Sequence, residues 1–274
     1  MKNTFAYILF SAAFLLSACK KTETKTTETK TEITAPEKFV IDSVKLNDSV
    51  KFNEMLSVNY SAKMLVFPTI KDKALLDSIY YDKKGITDYS KLGLQTFLEK
   101  DKTDFFSSVK EESKEWISDI DRPQTWESGS FMKLISQSDD FLQIEYLYTS
   151  YEGGAHGNYS FNIRVFDLKN NRKLDLKDIT TMPKGRLEEL LMKNINKIPS
   201  GTTDSDGAVN NSEMLLVDVI PANKDFYFDE KNLYFHYSPY EIAAFAAGDI
   251  VIPVSWKELE GTINPEFKKR LKIN

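Results

Sequence analysis

The sequence predicts an α+β fold, with mixed or antiparallel sheets, packed helices and two small subdomains, and three observations carry that prediction. Several separate runs alternate apolar and polar residues, the mark of half-buried strands. Other stretches repeat apolar residues near the 3.6-residue period of a helix. Turn-forming sequence separates these runs, and no internal repeat is visible.

Taken in order, the first strand is Leu56–Phe67, where Leu56, Val58, Tyr60, Ala62, Met64 and Val66 share one side. Pro68 and a charged stretch lead into helical patterning. A short helix is predicted over roughly 88–99 and a longer one over 105–120, whose stripe is Phe105, Phe106, Val109, Trp116, Ile117 and Ile120. The break DRPQTW begins at Asp121 and marks the expected boundary between subdomains 39–121 and 122–274. Beyond it, Phe131–Ser136 reads as strand, followed by alternation at Leu142, Ile144, Tyr146 and Tyr148, then at Tyr159, Phe161, Ile163 and Val165. Because only Glu152–Asn158 joins the last two, they form a long β-hairpin with a glycine-rich tip. Pro183 opens a helix with the stripe Leu187, Leu190, Leu191, Ile195 and Ile198, which runs into Ser200–Glu213, a stretch read as a mobile loop. Asn232–Tyr237 and Asp249–Trp256 read as strands, joined by a segment whose short helical turn ends at Gly248.

Residues 1–18 have the pattern of a targeting segment: Lys2, an apolar run from Phe5 to Leu16, then small residues. The run is shorter than the about 20 residues a spanning helix needs. It ends in LSAC, Leu16–Cys19, which resembles the lipobox of bacterial lipoproteins; the resemblance implies cleavage before Cys19 and lipid attachment to it. Residues 19–38 are nearly all Lys, Thr and Glu, a composition that cannot repay the entropy of ordering, and read as a flexible tether. The expected location is the bacterial cell envelope, with the chain held to a membrane by its lipid alone.

The chain has 41 acidic against 36 basic residues, a net charge of −5. That balance argues against nucleic acid, which needs a basic footprint. Cys19 is the only cysteine, so no internal disulfide is available and the fold must rest on its core.

The stretch YEGGAHGNYSF, Tyr151–Phe161, places three of the 11 glycines and one of the two histidines in the hairpin tip. Gly153, Gly154 and Gly157 suit a tight turn with positive backbone torsions. Tyr151 and His156 are candidates for contact with a partner, because binding groups gather on loops carried by a rigid sheet. Tyr237, Tyr240 and Glu241 form a second candidate patch. Whether the tip is a binding site or only a structural turn stays open at this level. A metal site built on Glu152, His156 and His236 lacks the close ligand spacing that zinc favours, so no metal is expected. No Gly-x-Ser-x-Gly elbow, phosphate loop or nucleotide fingerprint is present, so no catalytic residue and no cofactor is assigned.

Residues Tyr151–Ile179 followed by Asn232–Leu259 resemble the extracytoplasmic, lysozyme-binding domain of RsiV-type anti-sigma factors, chiefly in the Gly-Gly-Ala-His-Gly tip and the Tyr-Glu-Ile-Ala turn. The region from Phe52 to Asp119 is similar to the accessory domain of unknown function found in those proteins and in PdaC-type peptidoglycan deacetylases. The resemblance implies an α+β fold and a non-catalytic envelope binding protein whose partner is a lysozyme-like protein or cell-wall glycan. The alternative is an envelope hydrolase acting on polysaccharide or peptidoglycan.

Overall fold

The computed structural model describes residues 39–273; the targeting segment, Cys19 and the tether lie outside them. The strands are β1 (Asp42–Lys51), β2 (Leu56–Val66), β3 (Gln124–Gln137), β4 (Phe141–Tyr151), β5 (Asn158–Asp167), β6 (Arg172–Lys173), β7 (Thr203–Asp204), β8 (Gly207–Ala208), β9 (Phe226–Phe228), β10 (Asn232–Tyr237) and β11 (Ile250–Ser255). The helices are α1 (Lys73–Ile79), α2 (Lys91–Ser113), α3 (Leu176–Ile179), α4 (Lys184–Asn194) and α5 (Pro265–Leu271). The fold is α+β, as the alternating runs predict.

Six strands form one sheet in the order β1-β2-β3-β4-β5-β6, and β11-β10-β9 form a second. Every pair in the large sheet is antiparallel except β2 with β3. A parallel pair needs a crossover, and α1 and α2 supply it. Since β3 lies beside β2, the expected boundary near residue 121 falls within one continuous sheet.

Each face of that sheet carries a core. On one, Leu142, Ile144, Tyr146 and Phe166 pack with Met64, Leu75, Ile79, Leu94 and Leu98 from β2, α1 and α2. On the other, Phe141 and Val165 join Leu187, Leu191, Phe226, Phe235, Ile252 and Phe267 from the second sheet, α4 and α5. The strict period of two in β4 sends neighbouring residues to opposite cores. Gln143, buried on the second face, donates from Nε2 to the Phe228 carbonyl at 2.8 Å and accepts the Phe228 N–H at 2.8 Å. One side chain thereby satisfies both backbone groups of a residue in the neighbouring sheet.

The two helices predicted over 88–99 and 105–120 are one helix, α2, and it ends earlier, at Ser113. Ser90 caps its start by accepting the Gly93 N–H at 3.1 Å. The charged stretch between the predicted pieces fits an exposed helical face, where Lys100 pairs with Asp104 one turn on and Lys102 pairs with Glu99 and with Asp48 of β1. Trp116 leaves the helical path and stacks on Trp126 of β3 at 4.9 Å. The stretch Ser200–Glu213, predicted to lack regular structure, contains the β7–β8 ladder and a 3₁₀ turn at Asn211–Met214. Its organiser is Asp204, whose Oδ1 accepts the N–H groups of Asp206 and Gly207, a local bond that leaves no periodicity to read. Among the described residues no helix is long and apolar enough to cross a membrane.

Candidate aromatic site at the hairpin tip

The β4–β5 hairpin forms as its alternation predicts, with Ser150 opposite Asn158 as the last pair before the tip. Gly153 and Gly154 hold φ of 93° and 99°, which a side chain rarely adopts. Gly157 serves closeness instead: a Cβ there would stand 3.0 Å from the Ser150 carbonyl oxygen. The Tyr151 hydroxyl donates to the Gly154 carbonyl at 3.1 Å and braces the turn from within.

His156 is exposed, and its Nδ1 donates to the Gly157 carbonyl at 2.9 Å. Its ring lies flat on Phe245, with centroids 3.9 Å apart and planes within 15°. Phe245 also meets Tyr240 at 5.5 Å and the edge of Tyr159 at 5.7 Å. The tip and the later patch, far apart in sequence, therefore become one surface, and Phe245 is the residue that joins them. Sequence reasoning passed over Phe245; its signal is a lone aromatic set in the small-residue run Ala243–Gly248.

The predicted patch residues divide. Tyr240 is 58% exposed and sits at φ 66°, a left-handed conformation that is uncommon for a bulky residue. Tyr237 is fully buried, and its hydroxyl donates to the Pro221 carbonyl at 3.0 Å, so it belongs to the core and offers no surface. Glu241 is exposed but shapes the turn: its carboxylate accepts the Ser238 N–H at 3.0 Å and an Asn223 amide N–H at 3.1 Å.

Beside the tip, the unroofed end of the sheet forms a groove of ≈ 480 Å³. Register sets its floor in rows across the strands: Glu127 opposite Tyr151, Thr149 opposite Tyr159, Leu147 opposite Phe161. Phe245 supplies the facing wall. The lobe built on the β11-β10-β9 sheet is seated at the edge of β5, where the Phe161 N–H donates to Ser238 Oγ at 2.8 Å and the Ile163 N–H to Asp225 Oδ1 at 2.7 Å. Burial pushes the Asp225 carboxyl up, and the Ile163 N–H acts against that.

His236 lies under this edge, 4% exposed, with Phe161 packed on its ring at 4.5 Å. Its Nε2 bonds Asp249 Oδ2 at 2.8 Å, and Nδ1 is enclosed with no hydrogen-bond partner among the described residues. That bond holds the Asp249 carboxyl below the usual carboxylate range. Burial, then the Asp249 charge, push the Tyr159 hydroxyl up. The His236–Asp249 bond lies within the β10–β11 part, and the Phe161 ring packed on the imidazole is what joins it to the large sheet. His156 and His236 thus occupy different settings, and no group of three or more His, Cys, Asp or Glu suited to a metal occurs among the described residues.

Residues 50–159, through the hairpin tip, match the family model described as Deacetylase PdaC, and residues 177–257 match Protein of unknown function (DUF3298). No curated protein matches the chain. Its fold is similar to the crystal structure of a DUF3298 family member from Bacteroides fragilis, with TM-score 0.65 and 19% identity over 83% of this chain and 94% of that one. It is also similar to a DUF3298 family protein from Pseudomonas aeruginosa PAO1, with TM-score 0.51 and 15% identity over 83% of this chain and 96% of that one. At these identities the likeness is one of fold.

Proposed function

We propose that this chain, which carries a PdaC domain and a DUF3298 domain, is a lipid-anchored, non-catalytic binding protein of the bacterial cell envelope. Its partner on this reading is a lysozyme-like protein, engaged by the hairpin tip. The observation that carries the proposal is the stacked, solvent-facing cluster of His156, Phe245 and Tyr240 at the end of a rigid sheet. Three aromatic rings held against one another lose little further freedom on binding, which is the property of a preorganised contact surface. The resemblance of the tip to RsiV-type domains supports the choice of partner, and the lipobox-like LSAC at Leu16–Cys19 supports the anchor.

The test is calorimetric titration of residues 20–274 with a c-type lysozyme at two salt concentrations. Saturable binding that persists at the higher salt is expected; binding that vanishes there is unspecific charge attraction. His156→Ala should weaken the complex at least tenfold and leave the melting temperature within about a degree, since the imidazole is exposed and outside both cores. A second reading, a cell-wall glycan as ligand, draws on the aromatic walls of the groove, because sugar rings stack on such faces. Muropeptide titration decides between them.

A further inference from the structure

We propose that the groove beside the tip is a receptor for a cationic side chain, an arginine presented by a basic protein partner. This rests on the binding-protein reading above and adds what the partner must offer. The occupant follows from charge and shape together. Tyr159, Phe161 and Phe245 give the slot aromatic faces, with Phe161 and Phe245 both edge-on to Tyr159 at 5.7 Å. Glu127 lines the tip end and makes no ion pair among the described residues. Asp249, 40% exposed and bonded to His236, lies outside the groove lining but near enough for its charge to act on the Tyr159 hydroxyl. Further down the same face, Glu145 is paired with Lys133 at 3.4 Å.

The charge lining the slot is therefore the carboxylate of Glu127, and its walls are π faces whose centres are negative too. Anionic ligands are repelled from such a site. A neutral ligand gains from the walls and can donate a hydrogen bond to Glu127, but it brings no opposite charge to that carboxylate. A guanidinium gains from both, stacking its plane on a ring while its edge donates charge-assisted hydrogen bonds to a carboxylate. A volume of ≈ 480 Å³ exceeds one side chain and leaves room for the backbone that carries it.

The experiment uses residues 20–274 with Glu127→Gln and Tyr159→Leu variants, each checked for an unchanged circular dichroism spectrum. Lysozyme is titrated first. Affinity lowered at least tenfold by Glu127→Gln, with the difference shrinking at high salt, supports the inference. Lysozyme binding that Glu127→Gln leaves unchanged overturns it while the binding-protein reading stands. If lysozyme does not bind even the unaltered chain, that reading loses its partner, and the groove is then probed directly by NMR. Acetyl-arginine amide should shift the Tyr159, Phe161 and Phe245 ring signals while its neutral isostere acetyl-citrulline amide does not. Equal shifts with both, no shift with either, or shifts with a muropeptide alone overturn the inference.

Discussion

Gly248 stands at φ 69° and ψ −152°, a region essentially closed to residues with a side chain. It turns the chain from the Phe245–Ala247 turn into β11 and so brings the Asp249 carboxylate within hydrogen-bond reach of His236 Nε2. Gly248→Ala should cost about 1–3 kcal/mol and, through the shift it forces on Phe245 and Asp249, loosen the His156 stack; thermal melting and the His156 ring chemical shifts report the two effects. At Cys19 the expectation is chemical. Cys19→Ser should abolish incorporation of labelled fatty acid and release the chain from the membrane fraction, whereas an unchanged membrane-bound yield would dismiss the anchor.

Among the elements, α5 has the most consequential attachment. It starts at Asn264, whose side chain accepts the Glu266 N–H at 3.0 Å, with Pro265 next. Its last turn sends Arg270 to both oxygens of the buried Asp167 at 2.7 Å, and on to Asp140 at 3.2 Å. Burial alone would raise the Asp167 carboxyl, but the bonds from Arg270 and Asn170 outweigh it and bring the carboxyl to about 2. Because the folded value lies below the ordinary one, this group adds stability above about pH 4 and loses it as pH falls toward 2. Arg270→Met leaves a buried carboxylate unpaired and should cost about 3–5 kcal/mol at neutral pH. In that variant only the local bonds from Lys169 and Asn170 oppose burial at Asp167, so its carboxyl sits higher than in the parent and acidification should narrow the deficit. Adding Asp167→Asn should recover much of the loss; denaturant melts between pH 3 and 7 measure all three.

For the whole molecule, the shared sheet matters most. Leu142 and Phe141, adjacent in β4, belong to different cores, so neither core can lose its packing without exposing the back of the same strand. The described residues also cluster into a single compact unit. Residues 20–274 should therefore unfold in one cooperative transition, with near- and far-ultraviolet circular dichroism superimposing. Two separated transitions would mean that the lobes on either side of the sheet are energetically independent.

The amino-acid sequence by itself determined the α+β class, the β2 strand, the β4–β5 hairpin with its glycine tip, the helix opened by Pro183 and the turn ending at Gly248. These are local matters, written in a period of two, a period of 3.6, or a glycine at a torsion only it adopts readily. Other elements were illegible for physical reasons. In β1 only Val44 is buried, so its alternation is faint, and β9 has three residues, too few to show a period. The apolar residues Trp116, Ile117 and Ile120 fit a helical stripe by chance of spacing, but stacking on Trp126 decides where Trp116 goes. Of the candidate site, His156, Tyr151 and Tyr240 could be picked out from their residue types and turn context, whereas Tyr237, read as surface, was drawn into the core. Only the tertiary structure joined His156 to Phe245 and set Glu127 at the tip end of one aromatic groove. Those contacts depend on how β5 seats the lobe of the β11-β10-β9 sheet through Ser238 and Asp225, and pairings between residues so far apart leave no trace in local pattern.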